Sequence, residues 1–474
     1  MPGRRSASVL ALALLSALPT EPVVASAQGA ADTTGTGLAR EILEQLVAIR
    51  TTAGTGNTVK AAEAMAARLR DAGLPDSDIH VLGPEPGLGN LVARLRGRAA
   101  APPILMMAHL DVVDAVAEAW SVDPFTVTER DGWLYGRGTT DNKAGDAILV
   151  TNLIRLKREG FVPDRDLIIA LTADEETTGR SIDWLVKERR ELIDAGFALN
   201  TDAGSGILKD DRPLAFTVQT SEKVYLSFRL ATTNPGGHSS LPTPDNAIYH
   251  LAGALAHLAD FRFPLDLNET TRDFFRRWAE LENGSTAAEM QAVAADPPDT
   301  AAANRLSASP YFNALLRTTC VATRLRAGHA DNALPRSARA VVNCRILPQE
   351  SPDDIERTLK RVLADPAIAV GRIDEPTPSP PSPLDPDVMR PLQRLVDSMW
   401  PDTPVIPEMS TGATDGLFVR NSGIPVYGVS ALFEDPDDVR AHGKDERISI
   451  RAFEGALEFW YRMMKALATS GAAG

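Results

Sequence analysis

Leu167-Ile168-Ile169-Ala170-Leu171 runs through Thr172-Ala173 into Asp174-Glu175-Glu176. The unbroken apolar run predicts a strand covered on both faces. Such a strand does not ordinarily end in three adjacent acids, because packed carboxylates repel one another and lose hydration. The arrangement makes sense if something positive sits there. The same design occurs twice more. Ile104-Leu105-Met106-Met107-Ala108 enters His109-Leu110-Asp111, and Phe197-Ala198-Leu199-Asn200 enters Thr201-Asp202. Three candidate parallel strands thus place imidazole and carboxylate at their C-terminal ends, where open α/β sheets bind ligands. A mixed His/Asp/Glu set without thiolate suits zinc or a similar divalent ion and points to two-metal hydrolytic chemistry.

The chain has 474 residues, too many for one core and enough for two domains. Its 44% hydrophobic and 24% charged residues are ordinary for a globular protein. A formal charge of −14 argues against nucleic-acid binding and gives no reason to expect an anionic membrane surface as partner. Residues 1–27 read as a secretory signal. Arg4 and Arg5 form a positive start, Val9 to Leu18 an apolar stretch too short to span a bilayer, and Ala25-Ser26-Ala27 the cleavage pattern. Cleavage near Ala27 would leave a periplasmic or secreted protein. The two cysteines, Cys320 and Cys344, are too few for a disulfide scaffold or a thiolate zinc cage. Both lie on strand-like segments, each twelve residues from Asn332. Pairing about that loop would set them opposite each other, whereas one bulge would turn them to opposite faces. Bridge and separate thiols both stay open.

Alternating helix and strand patterns over 36–217 predict a helix-flanked, mostly parallel sheet. Near residue 218 the texture changes. Tyr225 to Leu230 alternates at period two, Asp245 to Leu258 is helical, and Thr318–Leu325 and Ala338–Ile346 look like paired strands. This reads as an inserted α+β domain over 218–348, with 349–470 returning to the first domain. Residues 283–304, rich in Ala, Asp and Pro, read as a variable surface segment. The prolines of 376–386 predict an exposed connection.

Two ions sharing a substrate site need a bridging carboxylate and two terminal ligand sets. The candidates are His109, Asp141, Glu176, Asp202 and His442. Asp141 lies in the glycine-containing turn Tyr135-Gly136-Arg137-Gly138-Thr139-Thr140-Asp141-Asn142-Lys143, which opens a helix and can bring a carboxylate near both ions. Asp111 is placed to hold the His109 imidazole in one tautomer. In an extended segment Glu175 and Glu176 point opposite ways, which leaves Glu175 as general base toward the attacking water.

These residues carry a resemblance. His109-Leu110-Asp111, Gly138 to Gly145, Asp174-Glu175-Glu176, Asn200-Thr201-Asp202, Gly237 to Pro242 and Ala441 to Arg447 follow, in order, the motifs of the di-zinc carboxypeptidase/aminoacylase family. That family includes carboxypeptidase S, acetylornithine deacetylase and succinyl-diaminopimelate desuccinylase. Asp202 and Thr411-Gly412-Ala413-Thr414-Asp415-Gly416 look most like the carboxypeptidase S and dipeptidase branches. The resemblance implies zinc, two ions per subunit, with cobalt or manganese as alternatives. It also implies that the insert is a lid, often the dimerisation surface, so a homodimer through it is an expectation. His238 resembles a lid histidine that stabilises the tetrahedral oxyanion, in dimeric members at the other subunit's site. Asn332, Arg345 and Gly412 resemble substrate contacts, and a guanidinium at Arg345 suits a carboxylate. The expected activity is that of a carboxypeptidase or dipeptidase acting beside a free carboxylate. The alternative is an N-acyl-amino-acid amidohydrolase. A non-catalytic solute- or metal-binding protein would have no use for Glu175.

Overall fold

The computed structural model describes residues 34–54 and 58–469. The expected signal segment lies outside them. Among the described residues a ten-stranded sheet runs in the order 79–82, 90–95, 167–172, 104–109, 197–200, 426–428, 212–222, 206–209, 433–434, and 405–410 also pairs with 212–222. Its centre is parallel. Ile104–His109 lies between Leu167–Thr172 and Phe197–Asn200, with Met106 opposite both Ile169 and Leu199. All side chains of Ile104–His109 and Leu167–Thr172 are buried, which is why these strands read as continuous apolar runs. Alternate residues serve opposite layers. Ile104, Met106, Leu167 and Ile169 join the core beneath the helices Thr36–Ala48, Lys143–Arg158 and Ile450–Ala468. Leu105, Met107, Ile168 and Ala170 pack instead with Ile182 and Leu185 of Arg180–Glu188 and with Val419. Helices therefore cover both faces, and the three strands release their final residues at one edge.

A second sheet, fully antiparallel, has the order 319–327, 337–346, 224–233, 369–372. Val224, Leu226, Phe228 and Leu230 point into its core while Tyr225 and Arg229 face out, as the period-two pattern requires. Helices Ala247–Asp260 and Pro352–Leu363 cover the inner face through Leu251, Leu258, Ile355 and Leu359. The strand and helix order is the split β-α-β arrangement. Because it includes Pro352–Leu363 and Ala369–Arg372, this unit runs past the expected boundary at 348.

The 283–304 segment also departs from expectation. It forms the helices Gly284–Ala294 and Thr300–Leu306, whose Met290, Val293, Ala302 and Ala303 are buried with Ile406 and Met409 of the large sheet. Alanine makes a thin apolar face that composition alone reads as linker. The 376–386 connection is mostly exposed but buries Ser379 and Ser382. Among the described residues no helix is long and apolar enough to cross a membrane.

Candidate active site

His109 ends its strand fully buried. Its Nδ1 lies 3.0 Å from the Asp111 carbonyl oxygen, so a proton there is donated to the main chain and Nε2 is left as an acceptor. That Nε2 lies 2.9 Å from Asp141 Oδ1 and 3.3 Å from Asp202 Oδ1. On the other side, His442 Nε2 lies 3.1 Å from Asp141 Oδ2 and 3.0 Å from Glu176 Oε2. Asp141 thus turns one oxygen to each imidazole, the geometry of a carboxylate shared between two ions. The five expected ligands are brought together from five separate stretches of chain.

The electrostatics are severe. Burial works against a charged His109, yet Asp202 and Asp141 hold its pKa well above the ordinary imidazole value. Contacts with Asp141 and Glu176 push His442 up to about 10. Burial pushes Asp202 up to about 6 and, with Asp202 beside it, lifts Glu175 well above the usual carboxylate range. Glu176 Oε1 is buried without a hydrogen-bond partner. Among the described residues no lysine or arginine pairs with Asp141, Glu175, Glu176 or Asp202. Crowded carboxylates without a lysine or arginine partner, gathered around two imidazole nitrogens, fit divalent cations, which would take the place of the protons those imidazoles otherwise hold.

The three consecutive acids have three different tasks. Asp174 turns away and accepts the Arg180 and Ser181 N–H groups at the start of Arg180–Glu188. Glu176 meets His442. Ligand atoms of Glu175, His109 and Asp202 lie within 4.8 Å of one another. The segment is a turn rather than the extended stretch expected, with the Asp174 carbonyl accepting from Thr178 and Gly179. Asp111 also differs from expectation. Its carboxylate stands 3.6 Å from His109 Nδ1 and instead accepts the N–H groups of Glu175 at 3.1 Å and Glu176 at 3.0 Å. Its main-chain carbonyl orients the imidazole; its carboxylate orients the acidic turn.

Glu446, which the sequence reading did not single out, is fully buried. It pairs with Arg137 at 2.6 Å and accepts the N–H groups of Gly138, Thr140 and Asp141. Its signal in the sequence is an acid four residues beyond His442. Lys143 donates to the Leu46 and Ile49 carbonyls, away from the cluster, and burial brings it down to about 7. Asp415 is buried, and burial pushes it up to about 8.

The expected substrate contacts are not joined to this cluster by hydrogen bonds among the described residues. His238 is exposed on a small hairpin in which it pairs with Ala333, and its Nδ1 lies 2.7 Å from Ser240 Oγ. Asn332, also exposed, accepts the Ser239 N–H through its carbonyl. Arg345 lies over the Tyr225 ring, 4.7 Å from its centroid, and has no acidic partner among the described residues. Gly412 donates its N–H to Ser410 Oγ at 3.0 Å.

Fold and site together define a metal-dependent hydrolase. The model of peptidase family M20/M25/M40 matches residues 105–466. The chain is 30% identical over 388 residues to the human N-fatty-acyl-amino acid synthase/hydrolase PM20D1, covering 77% of this chain and 74% of that one. It is 29% identical over 375 residues to a probable carboxypeptidase S-like 2 of Dictyostelium discoideum, with 77% and 71% covered. Among solved structures, an M20 family metallo-carboxypeptidase from Sulfolobus solfataricus superposes with a TM-score of 0.68 at 18% identity, covering 91% of this chain and 99% of that chain. A dinuclear metal-binding M20 peptidase from Bacillus subtilis gives a TM-score of 0.57 at 13% identity, with 92% and 99% covered. The chain belongs to peptidase family M20/M25/M40.

Proposed function

We propose that this chain hydrolyses the amide bond of small substrates that carry a free carboxylate next to that bond, with carboxypeptidase or dipeptidase activity as the first reading. The observation that carries it is a full ligand set plus a spare acid: Glu175 stands beside His109 and Asp202 while Glu176 engages His442. His109 and Asp202 would hold one ion, His442 and Glu176 the other, and Asp141 both. We take the ions to be zinc. Bound there, such ions would supply Lewis-acid polarisation of the amide carbonyl and a lowered pKa for the attacking water. Glu175 takes the proton of the attacking water and passes it to the leaving nitrogen. Arg345, with no acidic partner among the described residues, is the natural seat for the substrate carboxylate.

A second reading is hydrolysis of N-acyl amino acids, and the likeness to the human N-fatty-acyl-amino acid synthase/hydrolase favours it. Both readings share the chemistry and differ only in the acyl half. The deciding experiment assays zinc-loaded protein on dipeptides, N-acetyl amino acids and long-chain N-acyl amino acids, each also with its carboxylate amidated. Turnover of a free-carboxylate series, abolished by amidation, is expected. Equal turnover of the amidated series, or none of any series, would overturn the proposal.

We further propose export. The signal-like residues Arg4 to Ala27 support it, as does a bridge between Cys320 and Cys344, since disulfides persist in oxidising compartments. A homodimer through the second sheet is supported by its edge strand Thr319–Ala327. That strand exposes Val321 and Leu325 and pairs on one side only among the described residues.

A further inference from the structure

The chain leaves the large sheet for the second one at Glu222–Val224 and returns between Arg372 and Pro386. One buried ion pair touches both crossings. Glu222 is the last residue of Arg212–Glu222, and its Oε1 lies 2.6 Å from Arg420 Nη2, with both side chains buried to within a few per cent. Arg420 also donates from Nε to Ser379 Oγ, at 3.1 Å, on the returning crossing. Two charges withdrawn from water in this way carry a large desolvation cost, which only close pairing and further hydrogen bonds offset.

Those further bonds lead to a single loop. Glu222 Oε2 accepts the Thr414 N–H at 3.2 Å, the Thr414 hydroxyl at 3.1 Å and Gln219 Nε2 at 3.0 Å. The next residue, Lys223, donates its N–H to the Ser410 carbonyl. Residues 411–415 are therefore held at both ends by the outgoing crossing: Ser410 through Lys223, Thr414 through Glu222. Gly412 lies inside that span, and buried Asp415 ends it. A small cavity of about 130 Å³ separates the loop from the second sheet, lined by Glu222, Tyr225, Ser379 and Ala413 among others. Tyr225 is the ring beneath Arg345. Ala413, next to Gly412, and Tyr225, beneath Arg345, thus line one space, and Glu222 of the ion pair lines it with them.

We infer that Glu222 is a positioning residue. Through Thr414 and Arg420 it fixes the 411–415 loop against the Tyr225–Arg345 face and so sets the seat for the substrate's carboxylate half. This rests on the function proposed above. A residue in this role acts on substrate binding more than on the chemical step, so its loss should separate KM from kcat.

The test uses the zinc-loaded full chain. Glu222→Gln alone leaves a buried guanidinium unpaired, so the main variant is Glu222→Gln with Arg420→Gln, which removes both charges and keeps hydrogen-bonding groups. Thr414→Val is the milder companion, since it deletes the hydroxyl's bond to Glu222 and the one it accepts from the Gly416 N–H but leaves the ion pair. Expected for the double variant are wild-type metal content, faster amide hydrogen exchange over 410–416, and a KM raised about tenfold, the scale of a lost hydrogen bond to a charged group. Its kcat should stay within about threefold of wild type. Thr414→Val should shift KM in the same direction by less. Wild-type exchange and wild-type KM in both variants would overturn the inference, as would a loss of kcat with KM unchanged. If the wild type hydrolyses no substrate, the proposed function fails. Exchange over 410–416 then still decides whether Glu222 holds the loop.

Discussion

Glu446 accepts the backbone N–H of Asp141 at 3.0 Å. It also pairs with Arg137 and lies four residues beyond His442, so one buried carboxylate fixes the turn bearing Asp141 against the loop bearing His442. Glu446→Ala should weaken metal affinity about 10–100-fold, the range seen when groups that orient ligands are removed. It should also lower stability by about 3–5 kcal/mol, because Arg137 is left as an unpaired buried charge. Competition titration with a chelator and thermal melts check both. Wild-type metal affinity in a folded Glu446→Ala protein would remove this role.

Glu175 and Glu176 should separate cleanly on substitution. Glu175→Gln is expected to retain both ions while turnover drops by about two to four orders of magnitude, the usual scale for a general base. Glu176→Gln should lose metal as well, since its carboxylate meets His442 and has a second oxygen without a partner. Metal analysis beside kcat on each purified variant reads both outcomes. Near wild-type turnover in metal-replete Glu175→Gln would take that residue out of the mechanism.

His238 stands exposed on its hairpin, with no hydrogen bond to the cluster among the described residues. If it serves as an oxyanion donor when substrate is bound, His238→Ala should cost about 2.7–4 kcal/mol in the chemical step. Action across a dimer adds a sharper expectation. Mixing His238→Ala with Glu175→Gln under conditions of shown subunit exchange should restore part of the activity, because one mixed site keeps its own Glu175 and receives an intact His238. No recovery would assign His238 to its own subunit's site, and an unchanged kcat in the single variant would exclude it.

The parallel centre of the large sheet, and the gathering of His109, Glu176 and Asp202 beyond it, were legible because each strand is an apolar run that leads into polar chemistry. Burial on both faces leaves that mark in the residues themselves. What the sequence hid is of two kinds. Glu446 and the carboxylate of Asp111 act on backbone N–H groups, and no residue pattern announces which main-chain donors a distant acid will meet. The helices around Met290 and Ala302 bury faces too small to stand out from a linker rich in alanine. Domain limits failed for a related reason. Pro352–Leu363 and Ala369–Arg372 read as ordinary helix and strand, and only pairing reveals which sheet they join.

Cys320 and Cys344 give the last expectation. Residue spacing allowed either a bridge or two thiols, depending on where a bulge fell. The irregularity falls between Ala322 and Arg324, on the loop side of the cysteines, and the shift from Arg324 opposite Val341 to Ala322 opposite Val342 brings Cys320 directly opposite Cys344 in the antiparallel register. Their Cα atoms are 4.1 Å apart and the sulfurs are bonded. The bond closes a loop with a sequence separation of 24, for which chain entropy gives about 3.5 kcal/mol of stabilisation. It joins the edge strand of the second sheet to its neighbour and touches none of the ligands. Thiol counting on denatured, unreduced protein should therefore find no free thiol. Cys320→Ser with Cys344→Ser should melt several degrees lower while binding the same two metal ions. Two free thiols per chain would rule the bridge out, and loss of metal in the double variant would show that the second sheet supports the site more directly than the hydrogen bonds indicate.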